Sequence, residues 1–264
     1  MIADVSLTSL ALAGVLLLMN IGLSHVLKLD IEKQVGVAAV RMVVQLTAVG
    51  FILDGLIATQ NPWLASVVFL VMIGFATYEV RARPKMMVRG ARGWLLCGTG
   101  LGVSAIVMTT FLLAIIIQPK PWWNMQYAVP LFGMLLGNAM TGVALMLDTF
   151  FNTIELSKRA IEGELTRGSS IRIAMIRPIR TAVRTGTMPA INAMAATGVV
   201  FLPGLMVGQI LSGVSPLIAI KYQMLIMFLL AAGTALAVML SILQAVWALT
   251  DQRQRLRLDR LHKR

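Results

Sequence analysis

The side chains best placed to act on a solute in this chain are neutral amides and hydroxyls set within long apolar segments. Five of them are distinguished by type and position: Gln45, Asn138, Thr141, Asn192 and Gln209. Asn138 and Thr141 are three residues apart, so a helix places both on one face. Polar groups at membrane depth are costly and often functional. They predict either hydrogen bonds that hold helices together or contacts along a transport path.

Catalytic and metal-binding chemistry is not predicted. The chain has two histidines, His25 and His262, and its apolar segments hold no Ser–His or paired-Asp arrangement such as an intramembrane protease needs. The 18 methionines are better explained as packing residues than as soft-metal ligands. The single cysteine, Cys97, has no CxxC partner. We therefore expect no catalytic residue, no metal site and no cofactor bound by this chain.

Apolar helices are the elements that must position these residues. Hydrophobic residues make up 58% of the 264 residues and charged residues only 13%, whereas soluble domains carry about 25% charged residues. A membrane-crossing helix needs about 20 apolar residues. The sequence predicts an all-α, multi-pass protein of the inner (plasma) membrane, with a single transmembrane domain over residues 1–264. We predict seven spans, at roughly 6–27, 35–58, 63–79, 94–117, 127–147, 188–211 and 222–249.

Positive charge is divided unevenly between the two sides of this layout. All 23 Lys and Arg residues except Lys120 and Lys221 fall on one side. Because cytoplasmic loops carry the excess of Lys and Arg, the N-terminus is expected outside and the C-terminus inside. A cleavable signal is not expected, since residues 1–5 hold no positive charge. Topology and contact with anionic lipids explain the net charge of +12 better than nucleic-acid binding does.

One cytoplasmic segment, 148–187, is long enough to dock a soluble partner, and a basic tail follows at about 250–264. Residues 162–168 have the Glu-to-Gly spacing of the loop by which ATP-binding-cassette (ABC) importers contact their ATPase, although both alanine positions differ. A helix is predicted there, with Arg159 and Glu162 on its polar faces and Gly168 as its C-terminal cap. The alternative is a basic amphipathic segment that lies on anionic lipid.

Two proline positions predict irregular helices. Pro178 is expected to kink or interrupt a second amphipathic piece of the cytoplasmic segment. Pro203 and Gly204 interrupt the sixth predicted span near its outer half. Glycine adopts backbone conformations that other residues avoid, and transporters use broken helices to expose backbone groups to a cavity. A simple kink fits the same residues, so both interpretations of Pro203-Gly204 stay open.

Three stretches resemble the FetB/YbbM-type ABC permeases, a family with bacterial metal-efflux members and plant aluminium-tolerance members. They read GMLLGNAMTG at 133–142, LPGLMVGQILSGVSP at 202–216 and Tyr-Gln at 222–223. The resemblance covers nearly the whole chain. It departs from the commoner family pattern at Leu205 and Val207, which bears on the substrate more than on the family.

The resemblance implies a transmembrane subunit that pairs with a separate cytoplasmic ATPase, which would hold ATP and Mg. This fits the absence of a Gly-Lys dipeptide, without which the chain has no Walker A loop. It also implies a homodimer and an activity in metal, possibly iron, export. Arg159, Glu162 and Gly168 would then contact the ATPase, while the five polar residues within the spans would line or gate the path.

Two rival functions fit parts of the sequence. A secondary transporter driven by an ion gradient would need a charged coupling residue near mid-membrane, and the sequence shows none. A seven-helix receptor would share the predicted orientation, with the segment 148–187 as its signalling loop. Sensitivity of transport to collapse of the proton gradient, with ATP intact, separates the first rival from an ABC permease.

Overall fold

The computed structural model of the protein describes residues 6–59, 61–251 and 255–263. It divides into a smaller unit, Met1–Asn61 with Leu211–Val214, and a larger unit, Pro62–Ile210 with Ser215–Arg264. The smaller unit holds two helices, α1 (Leu7–Val26) and α2 (Glu32–Thr59). The larger unit holds α3 (Pro62–Ala82), β1 (Met86–Val88), α4 (Ala91–Phe111) with a π-helical turn (Leu112–Ile117), α5 (Met125–Leu156), α6 (Lys158–Thr166), α7 (Ile171–Ala174), α8 (Ile176–Ala196), α9 (Gly204–Leu211, except its last residue), α10 (Pro216–Ala248) and β2 (Leu261–Lys263).

The prediction of an all-α membrane protein is confirmed. Within the described ranges, six helices are long and apolar enough to cross a bilayer: α1, α2, α3, α4 with its π-helical turn, α5 and α10. The predicted sixth span, 188–211, is not one continuous helix. The helix α8 begins much earlier, ends at Ala196, and is separated from α9 by an irregular stretch at 197–203.

The helix α8 nevertheless has the length to cross a bilayer. Its 21 residues span about 31 Å at 1.5 Å per residue. Its first half carries Arg177, Arg180 and Arg184, all exposed, which lowers its mean hydropathy. The hydropathy pattern therefore predicts a start at about residue 188, later than the observed start of α8 at Ile176. It detects only the apolar second half of the helix.

The helix α8 contains two prolines, Pro178 and Pro189. Pro178 lies in the first turn of the helix, where backbone N–H groups have no intrahelical acceptor and the missing donor costs nothing. The predicted interruption at Pro178 is confirmed, because α7 ends at Ala174 and α8 begins at Ile176, so the amphipathic piece breaks just before the proline. The interior proline is Pro189, whose position within the helix removes one backbone hydrogen bond.

The helix α5 is the centre of the larger unit and packs against α3, α4, α8 and α10. Its buried face includes Phe132, Phe150 and Phe151. Phe132 stacks on Phe69 of α3, with ring centroids 4.3 Å apart. Because α5 contacts four other helices of the unit, a displacement of α5 would be felt throughout the bundle.

The helices α5, α8 and α10 approach one another closely at two glycines, Gly142 and Gly186. A Cβ atom built on Gly142 of α5 would lie 2.7 Å from the carbonyl oxygen of Gly186 on α8 and 2.7 Å from Cγ2 of Thr234 on α10. A Cβ on Gly186 would lie 2.6 Å from Cβ of Met146. Small residues let helix backbones approach in this way, so Gly142 and Gly186 set the crossing of α5 with α8.

The basic segments of the larger unit lie at one end of its bundle, which we call the basic end. β1, in the connection from α3 to α4, pairs antiparallel with β2, which follows α10. The backbone N–H of Lys85 donates to Oδ1 of Asp148 on α5, at 3.1 Å. The ends of four helices are thereby joined at the side that the charge distribution predicts to be cytoplasmic.

Candidate functional site

The short helix α6 is attached directly to α5. Only Ser157 separates them, and the backbone hydrogen bonds continue through it: its N–H donates to the carbonyl of Thr153, and its carbonyl accepts from Ile161. Ile161 is 2% exposed, and Leu165 packs against the same core. Because the connection is short and the apolar face is buried, a force on α6 is transmitted to α5.

The opposite side of α6 is exposed and charged, and we call its residues Lys158, Arg159 and Glu162 the docking face. Lys158 Nζ lies 3.9 Å from Glu162 Oε1, with about half of each side chain exposed. A surface ion pair of this kind contributes little to stability, about 0.3–0.5 kcal/mol at i,i+4 spacing. Both side chains therefore exchange partners at low cost when another protein approaches.

Gly168 ends α6 as the sequence predicts, and the predicted cap is confirmed. Its φ of +86° is a conformation that favours glycine. The N–H of Ser169 donates to the carbonyl of Glu164 at 3.1 Å, and that of Gly168 donates to the carbonyl of Leu165 at 3.0 Å, the pair of bonds that defines a Schellman cap. The Glu164 carboxylate also accepts from Arg167 Nη1 at 2.8 Å. The cap fixes where α6 stops.

Replacing Gly168 with alanine is expected to loosen α6. A side chain at positive φ costs about 1 kcal/mol or more, so amides across α6 should exchange with deuterium several times faster. The matched control is Gly163→Ala within α6, where an added Cβ meets nothing within 4 Å and alanine favours the helix. Equal exchange in the two variants would contradict the proposed role of the cap.

Asn138 and Thr141 share one face of α5. Asn138 is exposed and Thr141 half-buried. Asn138 Nδ2 donates to the carbonyl of Met134 at 2.9 Å, and Thr141 Oγ1 donates to that of Gly137 at 3.2 Å. Both bonds stay within α5, so neither ties the helix to a neighbour. The face is therefore accessible to a solute or to another polypeptide.

Asn192 is exposed on α8, at a depth similar to that of Asn138. The helices α5 and α8 run antiparallel, since the short α6 and α7 connect them at the basic end. Measured from the crossing of Gly142 and Gly186 at 1.5 Å per residue, Asn138 lies about 6 Å and Asn192 about 9 Å further from that end. The structure thus places Asn138, Thr141 and Asn192 in one band of depth on adjoining helices, which we call the polar band.

The other two predicted path residues lie elsewhere. Gln209 is half-buried on α9, and its Oε1 is buried without a hydrogen-bond partner among the described residues. Gln45 is exposed near the middle of α2, in the smaller unit. The predicted interruption at Pro203 and Gly204 coincides with the start of α9, after an irregular stretch in which Gly198 has a φ of +86°.

Sequence reasoning missed a set of polar residues on α10. Gln223, Thr234 and Ser241 are at most 5% exposed, and each has a buried side-chain oxygen that lacks a hydrogen-bond partner among the described residues. Their spacing of 11 and 7 residues places them on one helix face. A buried polar group without a partner is costly, so these three are further candidates for contact with a solute or with water. The spacing of 11 and 7 residues is the sequence feature from which these three residues could have been found.

The side chains of the polar band are neutral amides and a hydroxyl. Within residues 6–59, 61–251 and 255–263, no three His, Cys, Asp or Glu side chains cluster in a way that could hold a metal ion. The polar band offers neutral amide and hydroxyl groups, which donate and accept hydrogen bonds without carrying charge. Such groups bind weakly enough to release what they bind, which transport requires.

Comparison with known proteins identifies several relatives. The "UPF0014 membrane protein slr1647" of Synechocystis is 34% identical over 209 residues, which cover 79% of this chain and 80% of that protein. The "Probable iron export permease protein FetB" of Escherichia coli is 28% identical over 234 residues, 88% of each chain. The "Protein ALUMINUM SENSITIVE 3" of Arabidopsis thaliana is 27% identical over 227 residues, 86% of this chain and 81% of that one. No solved structure matches this chain.

These relatives confirm the family resemblance that the motifs predict. The bacterial permease and the plant protein are both among them, as 133–142 and 202–216 imply. A family model described as "Uncharacterised protein family (UPF0014)" matches residues 7–249, which run from the start of α1 to the end of α10. The chain therefore belongs to the UPF0014 family of membrane proteins.

Proposed function

We propose that this chain is the transmembrane permease subunit of an ABC-type exporter driven by a separate cytoplasmic ATPase. The observation that carries the proposal is α6, a short helix buried on one face through Ile161, charged on the other, and joined to α5 by Ser157. A partner that moves α6 would move α5 and the helices packed on it. ATP and Mg would be held by that partner, on the side where the basic end lies.

The polar band supports a second part of the proposal, a homodimer. Asn138 and Asn192 are exposed in the single chain, and exposed amides at membrane depth are costly in lipid. A second copy that covers these amides would remove the cost and supply a matching polar surface. Two ATPase sites would then act on two copies of α6. The expected location is the inner membrane, with the basic end in the cytoplasm.

Metal export, with iron as the first substrate to test, is the transport activity that we propose. One relative carries the name of an iron export permease. The amide and hydroxyl oxygens of Asn138 and Thr141 suit hard cations or their hydrated forms. Differential binding of the ATPase in its ATP-bound and ATP-free forms would shift the chain between states open to either side, because a ligand shifts a population only through such a difference.

Charge reversal on the docking face tests the proposal most directly. Glu162→Lys should release the ABC ATPase encoded nearest to the gene of this chain, measured as loss of co-purification in detergent from cells that express both. Glu162 is exposed and pairs only at 3.9 Å with Lys158, so the variant should fold normally. The matched control, Glu32→Lys, makes the same change at the start of α2 and should retain the ATPase.

The alternatives to an ABC permease have distinct outcomes in this experiment. Retention of the ATPase by Glu162→Lys would show that α6 is not the docking element. A wild-type chain that binds no ATPase, and whose transport stops when the proton gradient collapses with ATP intact, would instead be a gradient-driven carrier.

A further inference from the structure

A pocket of about 470 Å³ lies at the basic end, between the start of α4 and the C-terminal segment. Its lining comprises Val88, Arg89, Ala91, Arg92, Asp259 and Arg260. The two sides come from distant parts of the sequence. They are held together by the pairing of β1 with β2 and by the bond from the Arg89 N–H to the Arg260 carbonyl, at 3.1 Å. The pocket is thus built by the fold rather than by a flexible loop.

Positive charge dominates this pocket. Three of its six lining residues are arginines, Arg89, Arg92 and Arg260. The one acidic residue of the lining, Asp259, forms an ion pair with Arg257, which donates to both of its carboxylate oxygens at 2.8 Å. The same Arg257 guanidinium holds the pKa of Asp259 at about 2, so this carboxylate stays ionised and bound to Arg257 at neutral pH. The three pocket arginines keep an excess of positive charge.

The three arginines differ in their hydrogen bonds within the protein and in their exposure. Arg260 Nη1 donates to the carbonyls of Ala248, at 2.7 Å, and Thr250, at 3.3 Å, which fixes its guanidinium while leaving other donors of the fork available. Arg89 and Arg92 are exposed. Backbone donors add to the site, since α4 begins after Gly90, which has no side chain to cap the first N–H groups.

The pocket lies where lipid headgroups are found. The exposed ring of Trp94, in the first turn of α4, is covered by the Arg81 guanidinium at 4.5 Å from the ring centroid. Tryptophan and arginine at the end of an apolar helix mark the interface between membrane and water. Arg92 is two residues from Trp94 in the first turn of α4, so the pocket lies at the level of that interface.

We infer that this pocket binds the phosphate group of an anionic membrane lipid. Guanidinium groups bind phosphate oxygens through paired, charge-assisted hydrogen bonds. A volume of about 470 Å³ accommodates a headgroup. Because Asp259 and Arg260, directly before β2, supply one wall, the bound lipid also holds the C-terminal segment against β1.

Two kinds of probe distinguish the binding of a lipid phosphate group from the binding of free phosphate. The delipidated chain is titrated with phosphatidylglycerol or phosphatidylcholine, and separately with inorganic phosphate. Bound lipid is counted by native mass spectrometry. Wild type should hold one phosphatidylglycerol more tightly than the rest. Arg89→Gln with Arg92→Gln should weaken that site about tenfold, because two charge-assisted bonds are lost.

A matched control has the same charge change at the same end of the bundle. Arg172→Gln with Arg180→Gln removes two exposed arginines outside the pocket and should leave the tight site intact. The single variant Arg92→Gln serves as a second test if the double variant unfolds. Equal lipid binding in pocket and control variants would overturn the inference. So would saturation of the site by inorganic phosphate without any tight phosphatidylglycerol, which would assign the pocket to a soluble phosphate instead.

Discussion

Replacing Asn138 with leucine is expected to lower transport at least tenfold while the thermal unfolding midpoint stays unchanged or rises. Asn138 is exposed, and its amide donates only to the Met134 carbonyl within the same helix. Leucine has the same number of side-chain heavy atoms, branched at the same carbon, and favours helix, so no packing is lost in the larger unit. What is lost is a polar group in the polar band and, under the proposed metal export, a contact for the cation as it leaves water.

The chain offers a close control for this substitution. Asn20 on α1 is also exposed, and its Nδ2 donates to the carbonyl of Leu16 at 2.9 Å. Asn20→Leu therefore makes the same chemical change in the same type of site. Iron retained by cells that lack their own exporter measures transport, and unfolding in detergent measures stability. Equal transport by both variants would remove Asn138 from the path, and a lower unfolding midpoint for Asn138→Leu alone would indicate a packing role.

Local patterns allowed the helical elements and the α6 cap to be predicted. Apolar runs of about 20 residues identify α1 to α5 and α10 because bilayer thickness imposes that length. Gly168 could be predicted as a cap because a Schellman motif depends on bonds within six residues, here to Leu165 and Glu164. Asn138 and Thr141 could be placed on one face because a helix repeats every 3.6 residues.

Contacts between distant residues could not be predicted in the same way. The pairing of β1 with β2 joins Met86 to Lys263, and three-residue strands have no periodic pattern to reveal them. The start of α8 was missed because Arg177 to Arg184 lower its hydropathy, although packing on α5 and α10 keeps it helical. The buried oxygens of Thr234 and Ser241 depend on which face of α10 meets the bundle, which only the packed structure shows.

Gly142→Ala, which adds one methyl group at the crossing of α5 and α8, is expected to lower the stability of the bundle strongly. An alanine at position 142 would bring its Cβ to 2.7 Å from the Gly186 carbonyl oxygen. That neighbour is backbone, so it cannot turn aside as a flexible side chain would. Overpacking of this kind costs about 1–3 kcal/mol, and a Gly142→Leu variant should fail to form the larger unit.

Gly74 on α3 is the matched control, because a Cβ added there meets nothing within 4 Å. Gly74→Ala should leave the unfolding midpoint unchanged or raise it, because alanine in a helix adds up to about 1 kcal/mol of stability over glycine. Gly142→Ala should lower the midpoint in detergent by several degrees, about 2–4 °C per kcal/mol for a unit of this size. Equal midpoints would mean that α5 and α8 separate without cost.

The second glycine of the crossing decides whether the cost arises from the contact itself. Gly186→Ala should be as destabilising as Gly142→Ala, since its Cβ would lie 2.7 Å from the Gly142 carbonyl oxygen. If the first methyl group already forces the helices apart, the second adds little, and the double variant should lose less stability than two independent changes predict. Such non-additivity, with lower transport in all three variants, would identify this crossing as the link between α6 and the polar band. Full additivity would mean that each methyl group destabilises its own helix independently. The crossing would then not couple a movement of α6 through α5 to α8.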